Sequence, residues 1–227
     1  MIPPVALAAS AGVVGLAVGV VLNTVLYRIP NAWNQGGGTW RQYLAVEAMT
    51  AASFVALVVR FGMSAQLPAY LFLAAVGVTL AMIEFDIRRL PNSIVLPAYV
   101  ISALLLMPAG AAQGDVRPAQ RGLVAMAAFS LLFFSIALAY PYAVGFSDAK
   151  LAGLLGLYLG WLSWGTALLG ILGSFAMVGF GGVAFVDDRR TTPRAIPIAS
   201  CLILASVLAL LVALPIGSWY GSILDHA

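Results

Sequence analysis

The sequence predicts an all-α protein, a polytopic bundle of about eight helices that cross a lipid bilayer. Of the 227 residues, 63% are hydrophobic and only 8% are charged, and the mean hydropathy is +1.03. A soluble domain has no core large enough to hide so much apolar surface. The apolar runs are also continuous, whereas the strands of a membrane barrel would alternate over about 10 residues.

Each predicted helix corresponds to an apolar run that approaches the roughly 20 residues needed to cross a hydrocarbon core about 30 Å thick. The shorter runs fit if the bilayer thins locally or if flanking side chains reach the interface. We expect residues 1–227 to form a single integral membrane domain. The predicted spans are Val5–Tyr27, Leu44–Val59, Ala69–Phe85, Ser93–Met107, Gly122–Tyr140, Lys150–Ser163, Thr166–Val186 and Ile196–Gly217.

The distribution of basic residues predicts that both termini lie outside, because Lys and Arg accumulate in cytoplasmic loops. With this orientation only Arg60, Arg117 and Arg121 of the eleven basic residues fall outside. The formal net charge of +3 is then explained by topology, and no nucleic-acid partner is expected. The basic residues placed inside are Arg28, Arg41, Arg88, Arg89, Lys150, Arg189, Arg190 and Arg194.

Cysteine and histidine usage predicts neither a metal site nor a cofactor. The single cysteine, Cys201, lies inside the last predicted span, and the single histidine, His226, lies at the tail. No CxxC pair or His/Cys spacing typical of a metal site is present in the sequence.

The eight acidic residues are more informative, because a carboxylate near hydrocarbon costs several kcal/mol unless it is paired, hydrated or neutral. Solvation in loops or at the tail explains four of them, Asp115, Asp187, Asp188 and Asp225. The other four lie at or near predicted helix ends on the inner side, and they are Glu47, Glu84, Asp86 and Asp148.

Asp148 lies in the segment FSDAKLAG, residues 146–153, which follows Gly145 and opens an apolar helix. A carboxylate at a helix N-cap accepts backbone N–H bonds and is stabilised by the helix dipole, so Asp148 is either a cap alone or a functional acid. The span that ends near Phe85 reaches the same membrane face. Two carboxyl groups brought together there would share one proton, as hydrolysis of a peptide bond by water requires.

Four segments resemble those of the type IV prepilin leader peptidases, membrane aspartyl proteases with a GxGD signature. They are VVLNTVLYRIP (20–30), YLAVE (43–47), RLPNSIVLP (89–97) and GFSDAKLAGLLGLYLGW (145–161). The resemblance implies catalytic roles for Asp148 and for Asp86 or Glu84. It implies supporting or substrate-binding roles for Asn23, Arg28, Glu47, Pro91, Asn92, Gly145, Ser147 and Lys150.

Three departures from the family pattern bear on activity. Ser147 replaces the second glycine of GxGD, which restricts the backbone if that position needs φ > 0. Counting back from Pro91 without a gap places Glu84 where many members carry the first catalytic aspartate, whereas a two-residue contraction places Asp86 there. The loop Ile29–Tyr43 lacks the paired CxxC motifs of larger members, so no zinc-binding insert is expected.

The resemblance implies an aspartic endopeptidase of the bacterial cytoplasmic membrane. Its substrate would be a prepilin-like protein of the pseudopilin or Tad/Flp type, with a basic cytosolic leader and an apolar helix in the bilayer. We expect Asp148 to be the acid more often ionised, because Lys150 and the helix N-terminus both favour its charged form. The alternatives are a catalytically impaired homologue that binds pilin-like helices for assembly and a small transporter.

Overall fold

A computed structural model describes residues 4–28, 39–87, 90–141, 144–185 and 197–224, and these residues contain eight α-helices and no strand. The all-helical class is therefore confirmed, and each predicted span corresponds to one helix. The helices are α1 (Pro4–Arg28), α2 (Trp40–Phe61), α3 (Leu67–Ile87), α4 (Asn92–Gln113), α5 (Arg117–Ala139), α6 (Phe146–Leu162), α7 (Trp164–Phe185) and α8 (Ile198–Leu224).

Within these residues, the five helices α1 to α5 are long and apolar enough to cross a membrane. Two further apolar segments, Trp164–Phe180 and Ile198–Val212, are shorter. Helix α6 has 17 residues, and all of its residues from Leu151 to Trp161 are buried. The chain is a multi-pass membrane protein in which α6 is surrounded by protein rather than exposed to lipid.

Several helices extend beyond their predicted ends because the turns that flank them are polar and well capped. Helix α2 begins after Thr39, whose N–H donates to Oε1 of Gln42 at 2.7 Å. Helix α4 ends at Gln113 and is capped by Gly114, which has φ +63°, a left-handed conformation that glycine adopts without steric cost. The oxygen Oδ1 of Asp115 accepts a hydrogen bond from the N–H of Arg117 at 2.9 Å, at the start of α5.

The first compact unit, Met1–Gly114, contains α1 to α4. Helices α1 and α2 run antiparallel at close range, since a Cβ at Gly15 would lie 2.6 Å from Cα of Ala51 and one at Gly19 would lie 2.6 Å from Cα of Glu47. Small residues permit such close contact between membrane helices. At the end of this unit where α1 ends and α2 begins, an apolar cluster joins α1, α2 and α3 through Leu26, Val46, Val78 and Ile83.

The second compact unit, Asp115–Ala227, contains α5 to α8, and its central helix is α6. Helix α6 contacts α5, α7 and α8. Gly156 and Gly160 face α5 so closely that a Cβ on either would meet the backbone there, at 2.7 Å from the carbonyl oxygens of Ala125 and Arg121 respectively. Gly170 of α7 faces the side chain of Leu159, whose Cδ1 a Cβ at this glycine would meet.

Two sets of sequence-based predictions fall outside the described residues. The first set comprises Arg88, Arg89, Arg189, Arg190 and Arg194, on which much of the topology prediction rests, so the orientation of the termini stays a prediction. The second comprises residues 29–38 of the loop predicted to lack a zinc-binding insert, the acids Asp187, Asp188 and Asp225, for which solvation was predicted, and His226. The single integral membrane domain over residues 1–227 also stays a prediction.

Candidate active site

Asp148 lies at the N-terminal end of α6, the central helix of the second unit. Gly145 is the N-cap, and Asp148 is the third residue of the helix. Its Oδ2 accepts a hydrogen bond from the N–H of Gly145 at 2.9 Å, and its own N–H donates to the carbonyl oxygen of Gly145 at 3.0 Å. The carboxylate is therefore fixed beside the positive end of the helix dipole, one turn further along than an N-cap residue.

Ser147 lies within the first turn of α6, where its backbone is α-helical. Any L-residue adopts that conformation, so this position does not require glycine. Gly145, the glycine retained from the motif, has φ −88°. The concern that Ser147 restricts the backbone therefore has no structural basis in this turn. Gly145, Ser147, Asp148 and Lys150 all belong to this one helix end.

Helix α6 is anchored at its opposite end by Arg121 of α5. The guanidinium donates from Nε to the carbonyl oxygen of Gly160 at 3.4 Å, and from Nη2 to the oxygens of Trp161 at 3.2 Å and Leu162 at 3.4 Å. A cation is favourable at a helix C-terminus, where the last carbonyl groups lack partners within the helix. Burial along its length and this contact make α6 a firm support for Asp148.

Glu84 and Asp86 lie in the last turn of α3, in the first unit. Glu84 is buried, with 7% of its surface exposed, whereas Asp86 is exposed. Because an α-helix turns about 100° per residue, side chains two positions apart point in widely different directions. The two acids therefore have different access to solvent, although the sequence separates them by one residue.

Pro91 and Asn92 form the beginning of α4, shortly after the two acids. Pro91 is the N-cap, with φ −73° and ψ 124°, and its carbonyl oxygen accepts hydrogen bonds from the N–H groups of Ile94 at 3.1 Å and Val95 at 3.3 Å. Asn92 is the first helical residue and is exposed. The LPN segment thus ends the connection from α3 and starts the next helix.

Asn23 and Glu47 are in direct contact between α1 and α2. The amide Nδ2 of Asn23 donates to Oε1 of Glu47 at 3.1 Å and to the carbonyl oxygen of Tyr43 at 3.3 Å. Asn23 is buried with 7% of its surface exposed, and Glu47 is half-buried. The hydrogen-bond partner that the structure gives Glu47 is thus Asn23 of the neighbouring helix.

Two residues without a predicted functional role support the helices that carry the candidate residues, Gly19 in the first unit and Arg121 in the second. Gly19 is four residues before Asn23, on the same face of α1, and it lets the α1 backbone approach Glu47. The sequence does contain a signal for Gly19, because a glycine four residues before a polar residue in an apolar helix indicates a close helix contact on that face. Arg121 carried no such signal, because its carbonyl partners are about 40 residues away along the chain.

Within the first unit, the contacts place the candidate residues of three helices at one end. Ile83, which precedes Glu84, belongs to the same apolar cluster as Val46, which precedes Glu47, and Leu26, which lies three residues after Asn23. The acids Glu47, Glu84 and Asp86 therefore share this end of the unit. In the part of the chain that the structure describes, no group of three or more His, Cys, Asp and Glu side chains is arranged to hold a metal ion.

The chain matches a known protein family over most of its length. The type IV leader peptidase family matches residues 71–221, about two thirds of the chain. This range includes Glu84, Asp86, Pro91 and the whole of α6 with Asp148. No curated protein and no solved structure matches the chain.

Proposed function

This chain belongs to the type IV leader peptidase family, and we propose that it is an aspartic endopeptidase that removes the basic leader from prepilin-like substrates. Family membership makes it a membrane protease of the prepilin peptidase type. The observation that carries the finer proposal is the carboxylate of Asp148, which is held at the N-terminus of a buried helix by the N–H of Gly145. That carboxylate lies within the matched residues 71–221, and the resemblance of GFSDAKL to the GxGD segment implies that it corresponds to the family's aspartate.

The proposed second acid is Asp86. It is an aspartate, like the acid that the family uses, and it is exposed, so water and a polypeptide can reach it. Glu84 is buried and its side chain is one methylene longer. Catalytic groups must be placed to within about an ångström, so the longer side chain is not an equivalent replacement. We therefore favour the alignment with a two-residue contraction before Pro91, which places Asp86 at the position of the first catalytic aspartate, over the ungapped alignment, which places Glu84 there.

In the proposed reaction one carboxyl group is ionised and the other is protonated, as expected of two acids that share a site. Asp148 accepts a proton from water while the water oxygen bonds to the scissile carbonyl carbon. Asp86 donates its proton to the carbonyl oxygen, which gives a tetrahedral diol. The diol collapses as the C–N bond breaks, the amine nitrogen takes the proton held by Asp148, and a diol hydroxyl returns a proton to Asp86.

The proposed place of cleavage is the cytoplasmic boundary of the inner membrane. Hydrolysis needs water and an accessible peptide bond, whereas a bond within a membrane helix is dry and its carbonyl is hydrogen-bonded inside the helix. Asp86 and Asp148 both lie at helix ends rather than at helix centres, which suits a reaction at the interface. The proposed partners are a substrate with a basic cytosolic leader and the bilayer that holds its helix.

The test is to incubate the purified full chain in lipid nanodiscs with a Tad/Flp-type prepilin and to measure the mass of the product. We expect a shortened prepilin together with the released leader peptide. A substrate that is retained but stays intact would show a silent pilin-binding homologue, and the protease proposal would be withdrawn. A substrate that is neither bound nor cut would remove both proposals.

A further inference from the structure

The contact between α1 and α2 contains a buried hydrogen-bond acceptor without a partner. The amide group of Asn23 is more than nine-tenths buried, and its Nδ2 donates to Glu47 and to the carbonyl oxygen of Tyr43. Its Oδ1 is also buried and has no hydrogen-bond partner among the described residues. Buried polar atoms are rarely left unsatisfied, because a missing bond costs most of the desolvation free energy of the group.

The two acceptors around Nδ2 fix the orientation of this amide. A carboxylate oxygen of Glu47 and a backbone carbonyl oxygen both require a donor, so the NH₂ group faces them and Oδ1 faces away. Gly19 brings the two backbones close enough for this contact to form. The unpartnered oxygen is therefore held in place by its neighbours and is not free to turn toward another group.

The chemistry of the site selects the class of ligand. Glu47 supplies a negative charge that is half-buried, and Oδ1 of Asn23 supplies a neutral acceptor nearby. An anion and an unpartnered acceptor fit a positively charged donor, either an ammonium or a guanidinium group. The site lies at the end of the first unit that also carries Glu84 and Asp86.

We propose that Asn23 and Glu47 form a recognition site for a Lys or Arg side chain of the substrate's leader. This inference rests on the proposed function and deepens it, since it names the residues that select a basic leader. Glu47 supplies the attractive charge, and Asn23 positions Glu47 through Nδ2. The buried Oδ1 of Asn23 is uncovered when the leader enters and then accepts from the cation. Neither residue takes part in breaking the peptide bond.

The experiment is a double-mutant cycle on the full chain in nanodiscs. The change in the chain is Glu47→Gln. The change in the substrate replaces the Lys and Arg residues of the leader of a Tad/Flp-type prepilin by Gln. The dissociation constant and the KM and kcat of cleavage are measured for all four combinations. Glu47→Asp keeps the charge, and Asp115→Asn removes one charge from a turn of the second unit and serves as the matched control.

With the unchanged chain we expect the basic leader to bind about tenfold more tightly than the neutral leader, a typical contribution of a partly desolvated charge pair. Glu47→Gln should reduce this preference to about twofold or less, and the change should appear in the dissociation constant and KM rather than in kcat. Glu47→Asp should keep part of the preference and Asp115→Asn all of it. Asn23→Leu should lower the preference as well, because it removes both Nδ2 and Oδ1.

Other outcomes separate this inference from the proposed function. If Glu47→Gln weakens binding of both leaders equally, Glu47 is only structural and the inference is overturned, even where cleavage continues. If the preference depends on Glu47 but no substrate is cut, the recognition site stands and the protease proposal fails. If the unchanged chain does not distinguish the leaders at all, a water molecule or the chain itself satisfies Asn23, and the inference is overturned.

Discussion

The carboxylate of Asp148 accepts a hydrogen bond from the backbone N–H of Gly145 at 2.9 Å, so this acid closes the first turn of its own helix. This contact gives Asp148 a structural role that is independent of any reaction. An experiment on catalysis must therefore remove the charge of the carboxylate without removing the cap.

The substitution Asp148→Asn does this, because the amide oxygen of asparagine still accepts from the N–H of Gly145, whereas the side chain no longer takes up a proton. We expect cleavage of a prepilin to fall by at least about 100-fold, the range for loss of a general base. Thermal unfolding in detergent should change little. The rate is measured by gel shift of the substrate.

A matched variant, Asp148→Ala, should lose the cap as well as the charge. Loss of a helix cap typically costs about 1 kcal/mol, so we expect a lower unfolding temperature together with the same loss of rate. Full cleavage by Asp148→Asn would exclude Asp148 from the mechanism.

Asp86 is exposed and Glu84 is buried, and replacing each by its isosteric amide tests which of the two acids takes part in cleavage. We expect Asp86→Asn to lose cleavage by about 100-fold or more, because the exposed carboxyl group is the proposed proton donor. Glu84→Gln should retain most of the rate, because Glu84 is buried. The ratio of the two kcat/KM values measured on one prepilin gives the answer.

If Glu84→Gln loses cleavage and Asp86→Asn retains it, Glu84 is the first catalytic acid and the ungapped alignment before Pro91 is the correct one. Equal losses in both variants would make each acid necessary. In that case the unfolding temperature of Glu84→Gln shows whether its loss of rate follows from a damaged α3.

The sequence predicts the eight helices well, because a continuous apolar run and its polar flanks are both local features. It does not predict which side of α3 is buried. Residues on all sides of this helix are apolar, so no amphipathic pattern separates the surroundings of Glu84 from those of Asp86. The sequence also does not predict the hydrogen bond between Asn23 and Glu47. This bond depends on the relative axial position of α1 and α2, which the close contact at Gly19 sets.

The first turn of α6 shows how far local patterns reach. Gly145 followed by Asp148 predicts a capped helix start, and the structure has one, but the acid is the third helical residue rather than the N-cap. Both placements satisfy an N–H group, so the sequence alone does not decide between them. The pairing of Asp148 with Asp86 rests on the family resemblance and stays a prediction.

The helical conformation of Ser147 predicts that restoring the family's glycine changes little. We expect Ser147→Gly to keep cleavage within about twofold and to lower stability by about 0.5 kcal/mol, because glycine is a poorer helix former than serine. The rate and the unfolding temperature are measured on the same preparation. A gain of tenfold or more in rate would show that serine restricts this turn after all.

The close contact at Gly19 predicts that a single methyl group disturbs the pairing of α1 with α2. A Cβ at this position would lie 2.6 Å from Cα of Glu47, so Gly19→Ala should separate the helices and cost about 1–3 kcal/mol, as overpacking does. The free energy of unfolding is measured in mixed micelles with increasing denaturing detergent.

Gly12→Ala is the control on the same helix. Its Cβ would meet only Cγ2 of Val55 at 3.4 Å, an ordinary contact. A neutral Gly19→Ala, or equal losses at both positions, would contradict the close approach of the two backbones at Glu47.

The three carbonyl contacts of Arg121 predict that the C-terminal end of α6 depends on this guanidinium. Arg121→Gln removes the charge and at least two of the donors, so we expect a loss of about 1–2 kcal/mol in the free energy of unfolding. Arg117→Gln removes the same charge from an exposed position on the same helix and should be nearly neutral. Cleavage should fall in proportion to the folded fraction only, because the support acts on α6 as a whole and does not touch the reacting groups. A loss of rate in fully folded Arg121→Gln would instead show that this contact also sets the position of Asp148 at the far end of the helix.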